Sequence, residues 1–167
     1  MSVRAVAREL GVAPNAIYTH IDGRDALVDA VLDDLLGEVP TPPPTRPAAA
    51  ALADLLVASY DLLARDPQLV PIYMSRQGAR GPNAARLGEV MDSLIAAAGV
   101  VPDVAGDARR ALLVHLMGSA AYAASSAGPE SASDPAYSRA LFARSLDWLL
   151  AGLVASAGQG FSQGPAQ

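Results

Sequence analysis

Ten residues, Glu38 to Pro47, read EVPTPPPTRP and hold five prolines. No helix can pass through them, because proline lacks the backbone N–H and its ring collides with the preceding turn. The segment is a stiff linker or an extended connector, and it divides the chain. Before it there is room only for short helices. Ser2 can cap one from Val3 to Leu10, which Gly11 stops. Pro14 suits the first position of a second, to His20. Asp22, with Asp25 three residues on, predicts the capped start of a longer helix that Gly37 ends after Leu36. Its apolar positions Leu27, Val28, Val31, Leu32 and Leu35 share one face, and Asp25, Asp29, Asp33 and Asp34 lie largely off it.

After the prolines, punctuation predicts helices over Ala48–Arg65, Pro67–Gln77, Pro82–Ala98, Asp103–Ser125 and Asp134–Ala157, with Asp103 and Asp134 as N-caps. The tail from Gly158 has the composition of a disordered end. Aromatic residues make up 5% of the chain, and no stretch alternates apolar with polar residues, so the expected class is all-α.

The chain has 167 residues and a net charge of -5, and its 12 basic side chains are all arginine. Taken alone, that charge argues against a nucleic-acid binder. The absence of cysteine excludes disulfides, thiolate zinc sites and a cysteine nucleophile. With His20 and His115 the only histidines, a metal site within one chain would need carboxylate help. No metal and no cofactor is expected. No Gly-rich phosphate loop or HExxH motif occurs, and the carboxylate pairs Asp33-Asp34 and Asp103/Asp107 read as caps and solvated faces, so no enzyme and no catalytic residue is expected. The uncharged stretch from Ala111 to Pro129 is built of Ala, Gly and Ser around His115. It reads as a buried helix rather than a membrane span, and the expected location is cytoplasmic.

The informative segment is Ser2 to Leu36. Two short helices meet at Gly11, with the small Ala7 one turn earlier and Val6, Leu10, Val12 and Ile17 as apolar pegs. This is the spacing of a helix-turn-helix, whose second helix lies in the DNA major groove. With Ile17 turned inward, Asn15, Tyr18 and Thr19 face outward. Asn can pair with adenine, while Tyr and Thr can reach phosphate or a thymine methyl. Ala13 and Asn15 offer backbone N–H groups to a phosphate at the helix start. Arg24 and Arg4 are candidate phosphate clamps. The same pattern fits an αα-corner that never touches DNA.

The string VRAVARELGVAP, then IYTH, then IDGRDAL leading into a long helix resembles the DNA-binding domain of the TetR family of bacterial repressors. Tyr18, His20, Gly23-Arg24 and Leu27 fall on that family's pattern, and Ala13 departs from its usual Ser or Thr. The resemblance covers about 35 residues. It implies that Tyr18 contacts phosphate, His20 supports the reading helix and Arg24 anchors to the DNA backbone. It begins at the family's second helix. The expectation is therefore an incomplete head, through a truncated start or a member lacking the first helix. Val3, Val6, Leu10 and Ile17 would then be partly uncovered. With three arginines against six acidic side chains in residues 1–37, operator binding would be weak and improved by an upstream helix.

By that resemblance the chain is a ligand-responsive regulator, a repressor that binds a palindromic double-stranded operator as a homodimer and is released by a small apolar effector. The implied organisation is a head over 1–37, the linker over 38–47, an effector-binding and dimerisation bundle over 48–157, and a tail over 158–167. Helix Asp134–Ala157 carries apolar residues on more than one face, and Asp103–Ser125 carries small ones; both patterns also suit intrachain core, and the resemblance implies that these last two long helices form the dimer surface. Tyr60, Tyr73, Met74, Met91, His115, Met117 and Tyr122 are candidates for the effector pocket, though each also suits plain core. Arg76 and Gln77 are placed at its mouth. The competing reading is a DNA-independent helical module, or a truncated partner of a full-length regulator.

Overall fold

The computed structural model describes residues 3–9, 11–13, 15–16, 21–76, 81–125 and 134–157. Among them run seven helices and no strand: α1 (Val3–Glu9), α2 (Gly23–Leu36), α3 (Ala48–Arg65), α4 (Leu69–Ser75), α5 (Pro82–Ala97), α6 (Pro102–Ala124) and α7 (Pro135–Ala157). The chain is all-α, as its punctuation predicts. No helix among the described residues is long and apolar enough to cross a membrane.

Helix α3 is the centre of the body. Its Leu52, Leu55, Leu56, Tyr60, Leu62 and Leu63 are all buried. These spacings cover more than one helix face, so α3 packs against α5, α6 and α7 at once. From α7, Phe142, Leu146 and Leu150 enter the same core at four-residue intervals, as do Ala108, Leu112, Leu116 and Ala120 from α6. The Phe142 ring stacks on Tyr60 with centroids 4.5 Å apart and on His115 at 5.3 Å.

Helix α2 joins the front of the chain to this body by three devices. Leu32 is buried with the core. Asp33, expected on a solvated surface, is only 6% exposed. Its carboxylate accepts the backbone N–H of Asn83 (3.2 Å) and Ala84 (2.8 Å) and the Asn83 side-chain amide (3.2 Å). A residue 50 positions away thus satisfies the orphan donors at the start of α5, which has no capping side chain of its own. Gly81 makes this approach possible, because a Cβ there would lie 2.3 Å from Asp33 Cγ. Asp29, likewise expected off the packed face, turns inward to α4.

The proline segment is non-helical, with a turn closed by the Arg46 N–H on the Pro43 carbonyl, and it is tied down. Val39 is buried, and Arg86 of α5 donates to the carbonyls of Leu36 (3.3 Å) and Val39 (3.2 Å) and to Thr41 Oγ1 (2.7 Å). Arg46 pairs with Asp54 at its far end. Helix α3 has the expected bounds. Helix α4 is shorter than Pro67–Gln77, because the Asp66 carboxylate takes the Gln68 N–H in a local turn that delays the helix to Leu69. Asp134 caps α7 through the Ala136 N–H (2.9 Å). Asp103 does not cap α6, which starts one residue earlier with Val101 in the N-cap position. Asp22 holds the N-cap position of α2 without a side-chain capping bond.

Candidate ligand cavity and head junction

A cavity of about 570 Å³ opens between α3, α4, α5 and α6. Its wall is mainly apolar, with Leu55, Leu62, Leu63, Leu87 and Leu116 alongside Met74, Met91 and Met117. Among the described residues, three polar side chains line it: Ser59, Tyr73 and Arg109. Ser59 donates to the Leu55 carbonyl (2.8 Å), and Tyr73 donates to the Leu32 carbonyl of α2 (2.8 Å). Burial, with the Asp33 charge nearby, pushes the Tyr73 hydroxyl up to about 12, so it remains a donor at neutral pH. Arg109 pairs with Asp92 (2.8 Å), and its Nη2 lies over Gly88, where a Cβ would come within 2.8 Å. The volume is that of pockets which take drug-sized molecules.

Helix α4 links this wall to the head. Tyr73 and Met74 line the cavity. Two residues further, Arg76 makes a bidentate pair with Asp29 (2.8 and 2.6 Å) and a second bond to Asp25 (3.0 Å). The Asp29 bond is the main reason the Arg76 guanidinium is held above its ordinary pKa. Asp25 and Asp29 are one helical turn apart, so one arginine grips one stripe of α2. Beside the clamp, Val3 and Val6 of α1 meet Leu27 and Val28 of α2 and Ile72 of α4 around a smaller space of about 270 Å³.

Among solved structures, the chain matches the Streptomyces coelicolor TetR family protein ActR in complex with actinorhodin, with 25% identity over 95% of this chain and 88% of that one and a TM-score of 0.79. The chain has the fold of TetR-family transcriptional regulators. The same fold occurs in Mycobacterium smegmatis BioQ (23% identity, 92% and 86% of the two chains, TM-score 0.75). It occurs again in a TetR variant from Acinetobacter baumannii AYE in complex with minocycline (22%, 99% and 88%, TM-score 0.75). No family model matches the sequence, and no curated protein matches it.

Within this fold the predicted site residues divide into groups. Tyr73, Met74, Met91 and Met117 meet in the central cavity. Tyr60 does not line it; it is core, stacked on Phe142. His115 and Tyr122 also stand apart, in a groove of about 500 Å³ between α6 and α7. There the His115 ring is bonded to Ser145 Oγ (2.9 Å). Arg76 is not at a mouth but on α2, and Gln77 lies outside the described residues. Spacing missed Arg109, although it begins a four-residue series on α6 with Leu113 and Met117.

In the head, Gly11 turns with φ of +67°, a conformation that favours glycine. Arg4, Ala13, Asn15 and Arg24 are all exposed. Tyr18, Thr19 and His20, with Leu10, Pro14 and Ile17, lie outside the described residues, as does the tail from residue 158. Two expectations are corrected. Val3 is buried against α2 rather than uncovered, and Val12 is 43% exposed rather than a peg.

The outer faces of α6 and α7 are apolar. Val114 (66%) and Tyr122 on one, and Tyr137, Leu141 and Trp148 (67%) on the other, are exposed. Trp148, Leu141 and Tyr137 fall opposite the buried Phe142–Leu146–Leu150 stripe, so the core cannot account for them.

Burial lowers the pKa of His115, partly opposed by its bond to the Phe142 backbone. A histidine with a lower pKa when folded binds protons better when unfolded. Stability is then fully retained above its unfolded value of about 6.5 and falls as pH drops through that value. Urea midpoints at pH 7.5 and pH 5.0 should therefore differ less in His115→Gln than in the parent protein. An equal difference removes His115 from the acid response.

Proposed function

We propose that this chain is a ligand-responsive transcriptional repressor. It binds a palindromic operator as a homodimer and leaves it when a small, largely apolar effector enters the central cavity. Residues 1–37 form the reading head, 38–47 the connector, and 48–157 the effector-binding and dimerisation body. The observation that carries the reading is the physical continuity of cavity and head: Tyr73 lines the cavity while bonding the Leu32 carbonyl, and Arg76 of the same helix grips Asp25 and Asp29. An effector that favours one setting of α4 over another shifts the setting of α2, and so of the head it carries.

The DNA contacts are Arg4, Ala13, Asn15, Tyr18, Thr19, His20 and Arg24, with phosphate bonds setting register and Asn15 reading base edges. Tyr73, Met74, Met91 and Met117 contact the effector. The outer faces of α6 and α7 pair with their two-fold copies, where Gly118 permits close approach, and the resulting symmetry matches a two-fold operator. The ligands named with ActR and with the TetR variant support an effector-binding body of this fold.

In vitro selection from randomised duplex DNA tests this reading. It should return an inverted repeat with half-sites about one helical turn, roughly 10 bp, apart. Affinity for that sequence should fall steeply with added salt. No enriched sequence at low salt overturns the repressor reading and leaves a DNA-independent module.

A further inference from the structure

The cavity's own chemistry narrows what it can hold, given that it is the effector pocket. Three of the chain's four methionines line it. Methionine side chains adapt their shape and make favourable sulfur contacts with aromatic rings. Among the polar groups, the hydroxyl protons of Ser59 and Tyr73 are already committed to the Leu55 and Leu32 carbonyls. Among the described residues, Arg109 is the only charged one of the wall, and only Asp92 pairs with it, through Nη1. Its remaining N–H groups are the wall's available strong donors. Among the described residues, no acidic side chain lines the cavity. A cation entering it would meet the Arg109 guanidinium, whose partner Asp92 is not among the described residues of the wall. An anion would gain charge-assisted bonds to a planar fork built for carboxylate-like groups. Gly88 belongs to this arrangement, since any side chain there would displace the guanidinium.

We infer that the effector is a planar aromatic anion, with its conjugated body against Met74, Met91 and Met117 and its carboxylate or other acidic group on Arg109. This inference rests on the cavity being the effector pocket, and the test separates the two.

Fluorescence titration with anthracene-9-carboxylate, its carboxamide and 9-aminomethylanthracene provides the probes. The carboxylate should bind at least tenfold more tightly than the amide, and the amine least tightly. Arg109→Met, which keeps the apolar stem, should erase the carboxylate's advantage and leave amide affinity within about twofold. Arg109→Lys should retain part of the advantage. Met117→Trp, which fills the cavity, should abolish binding of all three. Equal binding of carboxylate and amide, both blocked by Met117→Trp, overturns the anion inference while the pocket reading stands. An advantage that persists in Arg109→Met also overturns it. Binding unaffected by Met117→Trp, or no binding of any probe, overturns the pocket reading and the inference together.

Discussion

Trp148→Glu should yield a folded monomer that no longer holds operator DNA. The side chain is 67% exposed and lies opposite the buried stripe of α7, so the substitution creates no cavity and breaks no core contact. Its effect is confined to what covers that face. In a two-fold pair the residue meets the symmetric surface twice, and two carboxylates buried there would each carry a desolvation cost. Sedimentation equilibrium should show the shift from dimer to monomer, with helical circular dichroism unchanged. Operator affinity should fall by at least about 100-fold, because each head then binds its half-site without the local concentration its twin supplies. A variant that stays dimeric would remove this face from the interface.

Phe142→Ala should destabilise the body by about 3–5 kcal/mol, the range for removing a buried aromatic ring. Phe142 is 1% exposed and is held between two rings, Tyr60 on α3 and His115 on α6. Its loss would open a void where three helices meet. A domain of this size should lose about 2–4 °C in melting temperature per kcal/mol, so a fall near 10 °C is expected. The protomer concentration must be held constant, since self-association of the kind proposed stabilises a folded state by mass action. A fall below about 3 °C would mean that α6 and α7 collapse into the void.

What could be read from the sequence was whatever local signals determine. Helix α3 begins and ends where Pro47 and Asp66-Pro67 dictate, and its bounds follow from those residues alone. The turn at Gly11 is equally local. The errors are long-range. Asp33 looks like one of a solvated pair, because nothing near it in sequence needs a carboxylate; its partners are the N–H groups of Asn83 and Ala84. Asp29 looks exposed until Arg76 arrives from α4. Among the pocket candidates, the methionines of α5 and α6 reach the cavity, but Tyr60 and His115 are claimed by Phe142, whose position depends on how α7 docks. Arg109 was legible only in part. Its spacing from Leu113 and Met117 puts it on their stripe, but that the stripe borders a void depends on α5 and on the missing Cβ of Gly88.

The contact between Asp33 and Gly81 also constrains how this protein can change over time. A side chain at 81 would drive the carboxylate from its donors, leaving a buried charge without partners and the start of α5 without a cap. A neutral, smaller residue at 33 would free position 81 but strip the cap as well. The two positions, 48 residues apart in sequence, are therefore bound to drift as a pair, and the order of steps is fixed: glycine can be replaced at 81 only after the carboxylate at 33 has gone.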